Sequence, residues 1–148
     1  MTTKKAYVIG TNVSSSLSPA IFEYWFKKYN VNAKYNYKEI KEENFDKEIR
    51  LLRNEKDLVG FNITIPYKEK IENYLDDSFQ RDWGAGLDGA KLPINCVSVE
   101  GQNFWNGTNT DWEGAENTYV SFEEKKGGNR EGSAFIIGYG GASKAIIY

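Results

Sequence analysis

The chain has 148 residues, a length typical of one domain and sufficient to bury a sizeable core without disulfides. Its 19 basic and 21 acidic side chains give a net charge of −2, which argues against a protein built mainly to grip nucleic acid or an anionic membrane. The chain has no His and one Cys, Cys96, which excludes Ser-His-Asp and Cys-His catalytic systems, internal disulfides and most zinc sites. Any proton transfer must therefore use Lys, carboxylate, Tyr or water.

The start of the chain contains no recognisable targeting or membrane segment. Only five apolar or small residues, 6–10, follow Lys4 and Lys5. A signal sequence needs about 7–15 apolar residues, and a membrane helix about 20. We therefore expect a cytoplasmic protein, and we predict no metal site and neither a nucleic-acid nor a membrane partner.

The first half of the chain predicts strands that alternate with helices. Apolar and β-branched runs predict strands at residues 6–10, 33–40 and 58–65. Apolar residues at helical spacing predict one helix that begins at Ser18, with Ser18 as its cap, and a second around Phe45; a third follows Pro66 as far as residue 74. This order predicts an α/β fold, a mostly parallel open sheet flanked by helices.

The second half is predicted to complete this sheet and to begin another unit. Residues 80–93 hold three glycines and show no clean period, so we interpret them as a loop. The remaining predicted elements are strands at 94–99 and 103–106, a helix at 111–122, a linker or surface loop at 123–132 and a strand at 133–137.

The last predicted strand leads into the sequence Gly138-Tyr139-Gly140-Gly141-Ala142-Ser143. A strand, a glycine-rich turn and a helix are typical of the opening of a dinucleotide-binding unit, because glycines let the backbone approach a pyrophosphate closely. An ordinary glycine-rich turn has the same pattern. The acidic or basic residue expected about 20 positions later would decide between them, and it would lie beyond Tyr148.

Three polar groups stand at the ends of predicted elements. A cluster of serines between 14 and 18 could bind a carboxylate through hydroxyls and helix N-terminal amides. Lys68 follows a strand that carries Asn62 and Thr64 on one face, and Asp111 ends a polar turn before a helix. Taken singly, each group is better explained without a function: Ser18 and Asp111 as ordinary caps, and Lys68 and the other serines as solvated side chains.

Taken together, the motifs resemble the shikimate dehydrogenase family. The motifs Ser-x-Ser-Pro, Asn-Ile-Thr-Ile-Pro-Tyr-Lys, Ile-Asn-Cys-Val, Gly-x-Asn-Thr-Asp and Gly-x-Gly-Gly-Ala-Ser follow one another in the family's order. The resemblance runs from about Tyr7 to the last residue. One departure is Leu92-Pro93-Ile94, which stands before Asn95 where the family usually has Gly-Ala and an apolar residue.

The resemblance implies reversible, NADP(H)-dependent reduction of 3-dehydroshikimate to shikimate, a small-molecule substrate, in aromatic amino-acid biosynthesis. It implies that Ser16 and Ser18 hold the substrate carboxylate and that Lys68 and Asp111 form the catalytic pair. The other implied site residues are Thr64, Asn95 and Thr110 around the substrate ring, with Asn95 and Asp111 also binding ring hydroxyls, and Gly138, Gly140, Gly141 and Ala142 at the cofactor phosphates. A Lys ammonium beside a carboxylate suits a chain without His, because it can protonate the alkoxide that hydride transfer creates.

The resemblance also implies a domain division. Residues 1–110 would form the shikimate-binding catalytic domain, and 111–148 a linker helix with the first strand and glycine-rich loop of a Rossmann-type NADP-binding domain. Two alternatives stay open: a quinate-preferring relative, and a non-catalytic binding fragment of the same fold. If the protein ends at Tyr148, we expect weak shikimate binding, no turnover, and self-association through an exposed strand at 134–137.

Overall fold

The computed structural model describes residues 2–78, 93–126 and 135–138, together with residues 140, 142, 143 and 146. The chain divides into two compact units, which are described separately below. The described part of the first unit comprises residues 2–78 and 94–108. The described part of the second comprises residue 93, residues 109–126 and the described residues from 135 onward.

A six-stranded sheet with the order β2-β1-β3-β5-β6-β4 forms the centre of the first unit. Its strands are β1 Lys4–Gly10, β2 Ala33–Glu39, β3 Leu58–Ile63, β4 Asp77–Ser78, β5 Cys96–Glu100 and β6 Phe104–Thr108. Strand β1 pairs in parallel with β2 and β3, and β4 pairs in parallel with β6. Strand β5 is antiparallel to both β3 and β6. The predicted α/β class is confirmed, with a sheet that is mixed.

Neighbouring residues of β1 face opposite layers, because successive side chains of a strand alternate. Ile9 is fully buried with α2, Phe45–Arg53, which contributes Phe45, Ile49 and Leu52 to the larger core. Val8 packs in a smaller core on the other face, against which two partly buried aromatic residues of α1, Ser18–Lys28, are packed. The two helices thus cover opposite faces of the β1 region, as right-handed β-α-β connections to opposite sides of β1 require.

Three features of the first unit differ from what the sequence predicts. The predicted helix at 66–74 is a turn followed by a 3-10 helix, Lys70–Tyr74, in which Glu72 N–H and Leu75 N–H donate to carbonyls three residues earlier. Helix α1 buries no residue completely, and its Trp25 is 45% exposed despite its place in the apolar stripe. Ser18 is the first helical residue and makes no capping bond, because Leu17 occupies the cap position.

Strand β4 has no sequence signal, because it is two residues long and polar. Tertiary bonds hold it: Asp76 N–H donates to Trp105 O at 3.0 Å, and the Asp76 carboxylate accepts Trp105 N–H at 2.8 Å. Arg53 of α2 donates to that carboxylate as well and to the carbonyl of Tyr74 at 2.6 Å. A helix on one face thereby fixes the edge strand of the sheet.

The second unit contains α3, Asp111–Lys126, which confirms the predicted helix and extends it into the predicted linker. The predicted strand at 133–137 is wrong over its described part, since 135–138 have no regular structure and Ile137 is 99% exposed. A strand needs a hydrogen-bonded neighbour, and the described residues of this unit supply none. The predicted loop at 80–93 lies outside the described residues except for Pro93. Among the described residues, no helix is long and apolar enough to cross a membrane.

Candidate functional site

The carboxyl-terminal edge of the parallel strands β1 and β3 collects most of the predicted substrate residues of the first unit. Thr64 N–H donates to the carbonyl of Ile9 at 2.9 Å, and Ile63 N–H donates to the carbonyl of Asn95 at 2.9 Å. Asn95 N–H in turn donates to the carbonyl of Thr108 at 3.1 Å. Asn95 is buried, with 8% of its surface exposed. These bonds set Thr64 and Asn95 side by side at the edge where open α/β sheets bind their ligands.

The two predicted carboxylate-binding serines contact each other at the start of α1. Ser16 Oγ donates to Ser18 Oγ at 3.2 Å, and Ser18 N–H donates to Ser16 Oγ at 3.2 Å. Ser16 therefore serves the first helical N–H group in place of a cap, a local bond that serines often make two residues ahead. The Ser18 hydroxyl accepts from Ser16 and keeps its own hydrogen to donate. No acidic residue lies in the first turn of α1, so the helix dipole there favours an anion.

The carboxylate of Glu39, at the end of β2, holds the loop that carries these serines. Glu39 Oε1 accepts Val13 N–H at 3.1 Å and Ser14 N–H at 3.0 Å. The pKa of Glu39 is lowered by hydrogen bonds from the Ser14 hydroxyl, from Ser14 N–H and from Val13 N–H. Sequence analysis missed Glu39, because nothing in the sequence links a strand end to a loop 25 residues earlier.

Gly10 ends β1 where the site requires close packing. A Cβ atom at Gly10 would lie 2.7 Å from Thr64 Cγ2 and 2.8 Å from Val13 Cγ1. Real Cβ atoms do not approach other carbons so closely. Glycine therefore lets the threonine and the serine loop share this edge.

Lys68 follows a turn whose backbone is anchored on both sides. Tyr67 is 1% exposed, donates its hydroxyl to the carbonyl of Ile40 at 2.6 Å, and stacks on Phe45 with ring centroids 4.2 Å apart. The carbonyl of Lys68 accepts Ile94 N–H at 2.8 Å. The Ile65–Pro66 peptide that precedes this turn is cis. The Tyr67 contacts and the bond from Ile94 N–H hold the backbone of Lys68 at the same sheet edge as Thr64 and Asn95.

In the second unit, Asn109 rather than Asp111 caps helix α3. Asn109 Oδ1 accepts the N–H of Asp111 at 2.9 Å and the N–H of Trp112 at 3.4 Å. Its Nδ2 donates to the carbonyl of Pro93. The interpretation of Asp111 as a cap is therefore wrong. Asn109 was not among the predicted site residues, although asparagine before a helix is a known capping signal.

Asp111 is the first residue of α3, and the carbonyl of the preceding Thr110 accepts Gly114 N–H at 3.1 Å. Both belong to the second unit, whereas Ser16, Ser18, Thr64, Lys68 and Asn95 belong to the first. The pairing of Lys68 with Asp111 therefore stays a prediction. The described residues contain no group of three or more acidic or Cys side chains that could hold a metal ion.

Three residues of the predicted phosphate loop, Gly138, Gly140 and Ala142, are among the described residues. Gly138 has φ of 113°, a backbone conformation that L side chains rarely adopt, and its missing Cβ would lie 3.5 Å from Ser143 Oγ. A Cβ at Gly140 would meet nothing within 4 Å, and Ala142 is helical. Gly141 lies outside the described residues. Gly138 and Gly140 thus precede helical residues 142 and 143, and their contact with a pyrophosphate stays a prediction.

Comparison with known proteins gives consistent matches. Residues 8–85 match the family model described as the shikimate dehydrogenase substrate binding domain. A shikimate dehydrogenase of Thermotoga petrophila is 36% identical over 145 residues, which cover 97% of this chain and 49% of that protein. The chain therefore spans about half the length of this curated relative.

Two solved structures have the same fold over nearly the whole chain. A shikimate dehydrogenase in complex with NADP+ is 33% identical, with a TM-score of 0.78, and the match covers 97% of this chain and 46% of that one. Shikimate 5-dehydrogenase from Listeria monocytogenes, in complex with shikimate and NAD, is 26% identical with a TM-score of 0.72. That match covers 97% of this chain and 46% of the other.

Proposed function

The chain belongs to the shikimate dehydrogenase family, and on that premise we propose that the protein containing it reduces 3-dehydroshikimate to shikimate reversibly with NADPH. The observation that carries this proposal is the hydroxyl pair of Ser16 and Ser18 at the start of α1. Two hydroxyls beside a helix N-terminus that has no acidic residue in its first turn suit the carboxylate of this substrate.

The substrate ring would lie along the sheet edge beyond these serines. Thr64 and Asn95, whose main chains are bonded at this edge, would offer a hydroxyl and an amide to the ring hydroxyls. Thr110 would complete this set of polar groups, with Asp111 also binding a ring hydroxyl. Because the main chains of Thr64 and Asn95 are bonded to neighbouring strands, their side-chain donors would be pre-arranged, which favours productive orientation.

Lys68 and Asp111 would handle the proton. In the reductive direction a hydride reaches the carbonyl carbon, and the Lys68 ammonium donates a proton to the oxygen on which negative charge develops. Asp111 would orient the ammonium and bind the neighbouring hydroxyl. In the oxidative direction the same lysine, as amine, accepts the hydroxyl proton.

The cofactor would be NADP(H), which supplies the hydride when bound. Gly138, Gly140, Gly141 and Ala142 would hold its phosphates through backbone N–H groups. Under this proposal residues 1–110 form the substrate domain, and 111–148 form a linker helix and the beginning of the nucleotide domain. A cytoplasmic location is part of the same proposal.

The test is an assay of the full-length protein with shikimate or quinate as the substrate to be oxidised and NADP+ or NAD+ as acceptor. We expect turnover that is fastest with shikimate and NADP+. Faster oxidation of quinate would identify a quinate-preferring relative. Binding of shikimate without reduction of either nucleotide would identify a binding protein of the same fold and contradict the proposed activity.

A further inference from the structure

The loop between β1 and α1 is held by a continuous path of hydrogen bonds that begins at Glu39. Glu39 Oε1 accepts Val13 N–H, the carbonyl of Val13 accepts Ser16 N–H at 3.0 Å, and Ser16 Oγ accepts Ser18 N–H. The path runs from the edge strand of the sheet to the first residue of α1. It ends at the two hydroxyls assigned to the substrate carboxylate.

Two further contacts fix the positions of the loop and of Glu39. Val13 is 4% exposed and packs with Val8 and Tyr35 in the smaller core, so the middle of the loop is anchored by an apolar side chain. Ile40 N–H donates to the carbonyl of Gly10 at 2.9 Å, which holds the end of β2 against the end of β1. Glu39 is therefore attached to a fixed base, and its carboxylate can impose a position on the loop.

Glu39 also removes two competing donors. Val13 N–H and Ser14 N–H are adjacent main-chain groups of the kind that bind anions in loops before helices. Because one carboxylate oxygen of Glu39 accepts both, a ligand carboxylate is directed to Ser16 and Ser18 instead. The Glu39 carboxylate thus binds the N–H groups at the start of the loop, and the hydroxyls at its end are left for the ligand.

We propose that Glu39 is a positioning residue that sets the loop so that the hydroxyls of Ser16 and Ser18 meet the carboxylate of the substrate. This inference rests on the proposed function for the identity of the ligand. Glu39 acts through the loop and does not touch the substrate. This role requires only an acceptor oxygen at the end of β2, so we expect a glutamine side chain at position 39 to fulfil it.

Glu55 provides a matched control. Its Oε1 accepts two hydrogen bonds, from Tyr7 Oη at 2.6 Å and from Lys5 Nζ at 3.0 Å. It follows α2 and lies near the amino-terminal end of β1, away from the serine loop. Glu55→Ala removes a comparable carboxylate from the fold without altering the loop.

The experiment compares the unaltered chain with Glu39→Ala, Glu39→Gln and Glu55→Ala. Amide hydrogen exchange at Ser16 is measured by NMR, and Kd is measured by titration with shikimate and with its methyl ester, which lacks the carboxylate charge. We expect Glu39→Ala to accelerate exchange at Ser16 and to raise the Kd for shikimate by about threefold to tenfold. Binding of the ester should change much less. Glu39→Gln should stay within about twofold of the unaltered chain.

Two outcomes would overturn the positioning role. One is an unchanged Ser16 exchange rate and shikimate Kd in Glu39→Ala; the other is a Glu39→Gln that is as defective as Glu39→Ala. Glu55→Ala should lower the unfolding midpoint and leave the Kd for shikimate unchanged. If Glu55→Ala raised this Kd as much as Glu39→Ala does, the effect of Glu39→Ala would be explained by general destabilisation. If the unaltered chain binds no shikimate, the assay of the full-length protein decides whether the proposed function fails, and the exchange rate at Ser16 still decides whether Glu39 sets the loop.

Discussion

Tyr35 on β2 donates a hydrogen bond of 2.8 Å to Asn62 Oδ1 on β3, although β1 lies between these two strands. The Tyr35 ring also stacks on Phe22 of α1, with ring centroids 4.1 Å apart and planes 2° from parallel. Asn62 Nδ2 donates in turn to the carbonyl of Asn95 at 3.3 Å. The packing of α1 is thereby connected to the main chain of a predicted substrate residue.

We expect Tyr35→Phe to lower the free energy of unfolding by about 1–3 kcal/mol, because Asn62 Oδ1 loses its donor while the ring stack remains. The measurement is urea unfolding of the 148-residue chain. Tyr37→Phe is the control, since Tyr37 lies on the same strand and is 51% exposed. Equal stability of the two variants would mean that the Tyr35 bond contributes nothing measurable.

Gly10→Ala should destabilise the chain by about 1–3 kcal/mol, because the new methyl group would overlap Thr64 and Val13. Gly114→Ala, in α3, meets nothing within 4 Å and should be neutral or stabilising by up to about 1 kcal/mol. Thermal unfolding followed by circular dichroism compares the two. A Gly10→Ala chain with the original midpoint would show that the β1 edge can relax.

Ser16→Ala should weaken shikimate binding by more than about tenfold, because one hydrogen bond to a charged group is worth about 1.5–3 kcal/mol. The neighbouring Ser15 is exposed, so Ser15→Ala is the matched control and should bind normally. Calorimetric titration with shikimate measures both variants. Normal affinity of Ser16→Ala would move the carboxylate to another part of the edge.

Lys68 and Asp111 are predicted to act as one proton-handling unit. In the full-length protein each single change to Ala should lower kcat by about 10²–10⁴-fold. The double variant should be little worse than the more defective single variant, because members of one unit are not additive. Steady-state kinetics of all three variants test this, and losses that simply multiply would argue against the pairing.

The raised pKa of Tyr7 predicts that the folded chain loses stability at alkaline pH. Burial, the hydrogen bond to Glu55 and the negative charge of Glu55 raise its pKa from 10.0 to about 12. Between these values the unfolded chain has lost the phenol proton while the folded chain keeps it, so stability should fall as pH rises from about 10 to 12. Below pH 10 both states are protonated, and the contribution is fully present.

The pH dependence is tested by urea unfolding from pH 8 upward. Tyr7→Phe should be less stable than the unaltered chain near neutral pH, since the hydroxyl no longer bonds Glu55, and should lose less stability in alkali. Tyr37→Phe should follow the unaltered chain. A Tyr7→Phe profile parallel to that of the unaltered chain would assign the alkaline loss to other groups.

Local patterns were sufficient to predict most helices and strands of the first unit. Apolar and β-branched runs predicted β1, β2 and β3, and helical spacing predicted the helix that contains Phe45, Ile49 and Leu52. Both signals depend only on neighbours in the chain, and the three helical side chains are buried as their spacing indicates. The order of the motifs likewise predicted the family to which the chain belongs. The hydrophobic periodicity of a segment and the spacing of its motifs are set by the order of residues along the chain. Both can therefore be recognised without knowledge of the tertiary structure.

The roles of particular polar groups were decided by tertiary structure. Which side chain bonds the first N–H groups of α1 or α3 depends on which of these groups the fold leaves unpaired. Ser16 bonds Ser18 N–H although Leu17 occupies the cap position, and Asn109 caps α3 instead of Asp111. Strand β4 and the grip of Glu39 on the serine loop join segments far apart in sequence. Such bonds form only where the backbone brings a donor and an acceptor within about 3 Å, and composition and spacing along the chain do not encode that distance.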